Sequence, residues 1–229
     1  MMKSRLAVAV SVCLASVVLA GCPSLSTLQT ARTVPRGKVR HAVGLEAVGV
    51  SVRGAGSAAA GQVEYGMRIG VSDNIDVGFK VYFLGLEGGA KFQLVRGPFD
   101  LSIAPAGAYT SVSVGEDSFH FLYLHLPILM GVHLGQFAEM GFGPKLLYAL
   151  AFGSTSGGDF ASVDGVTAGV YWNLLFKIGG FMLLGPEINA YTPLQENAFE
   201  GVVYQGGIVM AFGGMDEDPP PMAPPVPMQ

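Results

Sequence analysis

Residues 62–71 alternate strictly. Gln62, Glu64, Gly66 and Arg68 share one face of an extended chain, and Val63, Tyr65, Met67, Ile69 and Val71 share the other. Ser72, Asp73 and Asn74 then supply turn chemistry. Beyond the turn, Ile75, Val77, Phe79, Val81 and Phe83 alternate with Asp76, Gly78, Lys80 and Tyr82. A third segment sets Leu86, Ala90, Phe92 and Leu94 against Glu87, Gly89, Lys91 and Gln93. Further on, Leu122, Leu124, Leu126, Ile128, Met130, Val132 and Leu134 make one apolar face, with Tyr123, His125 and His133 opposite. Extended over the chain, the pattern predicts ten strands, at 39–52, 61–71, 75–84, 86–95, 99–112, 119–134, 138–152, 162–176, 181–191 and 201–212.

An apolar face every second residue needs a cover, and no amphipathic helix is predicted that could supply one. A closed barrel with lipid outside and polar groups inside satisfies every strand at once. The predicted fold is therefore all-β, an antiparallel transmembrane β-barrel of about ten strands, with eight or twelve as alternatives. Connections at 72–74, 95–98, 135–137 and 177–180 are short, whereas those at 53–60, 113–118, 153–161 and 192–200 are longer and rich in Gly, Ser, Asp or Glu. Short turns at one end and longer loops at the other match the periplasmic and outer faces of an outer-membrane barrel. The tight link at Gly85 is an exception. Tyr65, Tyr109, Tyr148, Trp172 and Tyr204 face outward in this register, where aromatic girdles form.

Composition points the same way. Charged residues are 13% of the chain, mean hydropathy is +0.46, and 33 glycines disfavour long helices. The net charge of −4 is too mild to suggest a nucleic-acid partner.

The two ends carry recognisable signals. Lys3 and Arg5 precede an apolar run over residues 6–20, too short to span a membrane as a helix, which ends in Leu19-Ala20-Gly21-Cys22. That tetrapeptide resembles the lipobox of bacterial lipoproteins. The resemblance implies a signal peptide over 1–21, cleavage before Cys22, and an N-terminal lipid such as palmitate on that cysteine. Cys13 would leave with the leader, so disulfides, zinc-cysteine sites and cysteine nucleophiles are excluded from the mature chain. Residues 22–38 then read as a lipidated periplasmic tether, 39–212 as the barrel, and 213–229 as a disordered acidic and proline-rich periplasmic tail. In the last strand Gln205, Gly207, Met210 and Phe212 resemble the signal read by the outer-membrane barrel assembly machinery. Residues 28–38 resemble the leader of barrel proteins in gliding and predatory proteobacteria, which implies a place in a surface motility complex.

Chemistry is sparser. Inward-facing Glu64, Arg68, Asp76, Lys80, Glu87, Lys91, Glu139, Lys145 and Glu187 nearly balance in sign. They could line a narrow polar path, or form an ion-pair network that fills a small lumen, and the second is favoured in barrels of eight to ten strands. Glu116, Asp117 and His120 lie beside one loop, with Asp159 and Asp164 beside another. An acid–histidine group at a barrel rim could activate water, but acids in Gly/Ser loops are usually just solvated. His125 and His133 are eight residues apart on one strand, roughly 26 Å, too far to share a metal. No cofactor, phosphate-loop or metal motif is present apart from the lipid. The expected role is a non-enzymatic anchor or scaffold in a cell-envelope assembly, contacting outer-membrane lipid and an envelope partner through loops or tail. The alternatives are a small channel or carrier for hydrophobic molecules, and an outer-membrane hydrolase or acyltransferase.

Overall fold

The computed structural model describes residues 24–52, 56–114, 117–155, 158–194 and 201–215. Among them are eleven strands: β1 (Val39–Val52), β2 (Gly56–Ser72), β3 (Ile75–Tyr82), β4 (Gly85–Val95), β5 (Phe99–Ile103), β6 (Ala106–Val114), β7 (Asp117–Leu134), β8 (Ala138–Thr155), β9 (Gly158–Ile178), β10 (Met182–Pro193) and β11 (Gly201–Phe212). All pair antiparallel, each with its neighbour in sequence except where β5 and β6 share one position between β4 and β7. Last and first strands meet through twelve paired residues, from His41 with Phe212 to Val52 with Gly201. The sheet is therefore closed, with ten staves.

β5 and β6 are one stave interrupted at Ala104 and Pro105. Proline has no N–H for the ladder, and the carbonyls and amides beside it are met individually. Ala104 N donates to Pro127 O at 3.1 Å, and Ala90 N donates to Pro105 O at 3.1 Å. Three of the expected long loops are largely strand instead. β2 begins at Gly56, β7 at Asp117, and β8 and β9 reach Thr155 and Gly158. Strand pairing satisfies backbone groups whatever the side chain, so Gly/Ser/Ala runs next to an established ladder simply extend it.

The alternation sorts side chains between lumen and exterior. On β3, Asp76, Lys80 and Tyr82 are buried, while Val77, Phe79 and Val81 point outward and are exposed. Leu45, Val63, Leu86, Leu124, Val170, Ile188 and Ile208 are each more than half exposed on the outer wall. No helix among the described residues is long and apolar enough to cross a membrane, a statement that has no bearing on strands.

Residues 24–34 correct the expected tether. They run inside the barrel, with Leu25, Leu28, Ala31 and Val34 at 5% exposure or less, and Ser24, Ser26, Thr27, Thr30 and Thr33 buried beside them. The chain leaves the lumen at the end bearing the short turns, against Gly70. A Cβ at Gly70 would lie 2.1 Å from Pro35 O, so only glycine lets the exit pass. Gly37, at φ +74°, reverses the chain into β1, and its N–H donates to Gly70 O at 2.9 Å. At the other end of the chain, residues 213–215 stay close to this exit, where Gly214 O accepts from Arg40 at 2.8 Å. The acidic and proline-rich stretch from residue 216 lies outside the described residues.

Candidate functional site

The lumen is the built site of this molecule, and its contents are best followed downward from mid-barrel to the exit. At the top, Ser24 Oγ donates to Glu64 Oε2 at 2.7 Å and Ser26 Oγ donates to the same oxygen. Lys80 reaches across from β3, donating to Ser26 O at 2.9 Å while lying 3.3 Å from Glu87 and 4.0 Å from Glu64. Opposite it, Lys145 on β8 donates to Leu25 O at 2.5 Å and to Asn189 Oδ1 at 2.9 Å. Its ammonium sits 5.9 Å and 5.5 Å from the ring centres of Tyr171 and Tyr191, within cation–π range. Thr27 N–H is held by Glu187.

Lower down, Lys91 is fully buried and makes three contacts. It donates to Thr30 O at 3.0 Å and Arg32 O at 2.8 Å, and pairs with Asp76 at 3.2 Å. Asp76 also takes Arg68 at 2.5 Å and Val34 N–H at 2.8 Å. Ser102 donates to Ala31 O at 2.5 Å. Arg32 pairs with Asp100 at 2.9 Å, and Asp100 accepts from Gly97 N at 3.1 Å and lies 2.6 Å from His133. Thr33 closes the sequence, its N–H at 3.1 Å and its hydroxyl at 2.7 Å from Gln93 Oε1.

Apolar side chains fill the spaces between these bonds. Leu25 packs with Val48, Tyr123, Leu147 and Tyr191. Leu28 packs with Ala42, Leu175, Leu183 and Val209, and Ala31 with Ala104, Leu129 and Tyr171. Beside Thr27, Leu28 and Arg40 a space of about 30 Å³ remains, room for a few water molecules.

All nine lumen charges singled out in the sequence face inward, but their main partners differ from the expected ones. Arg68 and Glu87 are engaged chiefly with neighbouring charges, whereas Lys80, Lys91, Lys145, Asp76, Glu64 and Glu187 all bond the N-terminal segment. Glu139 is buried near His133 at 3.9 Å. Sequence reasoning missed Ser24, Ser26, Thr27, Thr30, Arg32, Thr33, Gln93, Asp100 and Ser102. One signal was present: Leu25, Leu28, Ala31 and Val34 are spaced by three, the period of an extended helix without internal hydrogen bonds.

The other expectations scatter. Glu116 and Cys22 lie outside the described residues, and Asp159 stands at the start of β9, paired with Ser154 of β8. His120 does not assemble with a catalytic acid among the described residues. Its ring stacks between Tyr109 and Phe152, and Nδ1 lies 2.8 Å from Tyr109 Oη and 3.1 Å from Ser111 Oγ. Asp164 is exposed and accepts from Tyr148 at 3.3 Å. His125 and His133 are apart, one buried near Glu87 at 3.8 Å and the other on Asp100. Gln205, Gly207, Met210 and Phe212 lie on β11 at the closing seam. Among the described residues no group of three or more His, Cys, Asp or Glu could hold a metal ion.

Fold and lumen together define a closed ten-stave antiparallel barrel occupied by its own N-terminal segment. No protein-family model and no curated protein matches the sequence. Among solved structures it is similar to the attachment invasion locus protein Ail of Yersinia pestis, at 10% identity and a TM-score of 0.45, covering 78% of this chain and 99% of that one. It is likewise similar to Neisserial surface protein A, at 9% identity, TM-score 0.44, and 77% and 99% coverage. A third is the outer membrane protease OmpT from Escherichia coli, at 10% identity, TM-score 0.43, and 82% and 99% coverage.

Proposed function

We propose that this chain is an outer-membrane β-barrel lipoprotein, lipidated at Cys22, that serves as a non-enzymatic anchor or scaffold in a cell-envelope assembly. A wall this apolar on the outside and this polar within is stable in a bilayer and not in water. The observation that carries the scaffold reading is the filled lumen, because a barrel built to pass solutes would keep its interior open. With the pore occupied, the surfaces left for work are the loop ends and the chain beyond residue 215, which would meet a partner such as a motility complex. The test is reconstitution of the intact protein in planar bilayers together with crosslinking from the tail. Negligible conductance and one reproducible envelope partner are expected; steady ion-selective steps would overturn the scaffold reading.

A depression of about 620 Å³ in the outer wall favours a second reading, a carrier for small hydrophobic molecules. It lies where the stave is interrupted, lined by Pro105, Ala106, Gly107, Leu124, Leu126 and Leu146. Photoactivatable fatty acid should then crosslink at Leu124 and Leu146 in preference to the rest of the apolar wall, and uniform labelling would dismiss this reading.

A further inference from the structure

We infer that the lumen is a binding site for an extended peptide, read through its main chain, and that residues 24–34 are an exchangeable ligand held in cis. The bonds themselves carry this. The barrel accepts three main-chain N–H groups, of Thr27, Thr33 and Val34, on Glu187, Gln93 and Asp76. It donates to five main-chain carbonyls, of Leu25, Ser26, Thr30, Ala31 and Arg32, from Lys145, Lys80, Lys91, Ser102 and again Lys91. None of these is a ladder bond, since the segment forms no strand with the wall. Charged and polar side chains standing on a rigid sheet replace the ladder, as in sites that recognise peptides by their backbone.

Side chains add a second, steric requirement. Ala31 is fully buried against Ala104, Leu129 and Tyr171, and its Cβ is 3.0 Å from where a Cβ on Gly131 would stand. A large residue there has no room. Leu28 is held at φ +45°, a conformation that costs a non-glycine residue energy unless its surroundings fix it. The segment is thus moulded to the lumen, which is how a bound ligand behaves and not how a passive tether does. The covalent link between ligand and site is short and accessible: Arg36, Gly37 and Lys38 form an exposed turn outside the lumen. Linkage raises the local concentration of the segment without adding a contact, so cutting that turn leaves every bond named above intact.

The ligand class is accordingly an extended peptide with an apolar residue every third position, a small one at the place of Ala31, and free main-chain N–H groups. To test this, a site-specific protease sequence is inserted after Gly37 in the full-length chain, which is purified in detergent and cleaved. Fluorescent peptide of residues 24–36 is then added in about 100-fold excess. The cleaved barrel should keep its folded mobility on a gel and take up label, while uncleaved protein takes up none. Peptide N-methylated at Thr27 and Val34 should bind at least about tenfold more weakly, as loss of two hydrogen bonds to charged groups implies. Peptide carrying Ala31→Trp should not bind. Refolding the cleaved protein with each peptide repeats the comparison where release is slow. Unfolding on cleavage, absence of label from a folded cleaved barrel after refolding, or equal capture of the N-methylated peptide would each overturn the inference. Conductance of the intact protein, by contrast, bears on the scaffold reading alone.

Discussion

Two halves of the lumen wall treat their polar groups differently. On the half built from β2–β6, Glu64, Asp76, Lys80, Lys91, Gln93 and Ser102 each bond the N-terminal segment. On the half built from β1 and β7–β11, both carboxylate oxygens of Glu46 and both amide atoms of Gln205 have no hydrogen-bond partner among the described residues. The same holds for Glu139 Oε1, Asn173 Nδ2, Glu187 Oε2 and His125 Nε2. The difference follows from what an extended chain demands. Its carbonyl oxygens need donors, and Lys80, Lys91 and Ser102 supply four of the five, with Lys145 of the other half supplying the fifth. Acids and amides across the barrel meet mostly one another, and two carboxylates cannot satisfy each other without a proton or a cation.

This contrast can be broken most severely at Lys91. Replacing it with Met removes both carbonyl contacts and one of the two cations on Asp76, at a cost on the order of 3–5 kcal/mol. The variant should lose its compact gel mobility at a lower temperature than wild type. A closing-seam pair comes next. A Cβ at Gly207 would lie 2.3 Å from Leu45 O, whereas at Gly206 the nearest atom, Glu187 O, is 3.9 Å away. Gly207→Ala should therefore cost about 1–3 kcal/mol and slow assembly into micelles, with Gly206→Ala close to neutral. Thr33→Ala removes a hydroxyl bonded to Gln93, Arg96 and Asp73 O, for about 1–2 kcal/mol in the urea unfolding midpoint. The smallest effect belongs to the other half. Glu46→Gln replaces a buried carboxyl group that hydrogen-bonds nothing among the described residues, and should change stability by less than about 1 kcal/mol or raise it. A Glu46→Gln loss as large as that of Lys91→Met would erase the contrast between the halves.

The barrel was legible because lipid on one side and a polar lumen on the other impose a period of two that no loop can imitate. Hence the limits of β1, β10 and β11 emerged nearly to the residue, from runs such as Val39–Val52 and Gly201–Phe212. The break at Pro105 was less visible, since a single proline in an alternating run signals an interruption without saying whether the stave continues beyond it. The segment was not legible at all as a lumen resident. Ser24, Thr27, Thr30 and Thr33 look like a solvated linker, and their partners lie far away in sequence, 160 residues in the case of Thr27 and Glu187. Charge balance among the inward residues did point to a filled interior, but it could not reveal that the lysines spend their protons on carbonyls.

The direction in which the segment enters sets a length limit on whatever precedes it. Ser24 is fastened to Glu64, six residues along β2 from Gly70 at the short-turn exit. Six strand residues tilted as barrel staves are rise about 15 Å. Two residues of fully extended chain reach about 7 Å. A lipid on Cys22 therefore cannot lie in the leaflet at the short-turn end while Ser24 holds Glu64. Anchoring of a Cys22 lipid at that end and occupation of the lumen would be alternative states of one chain.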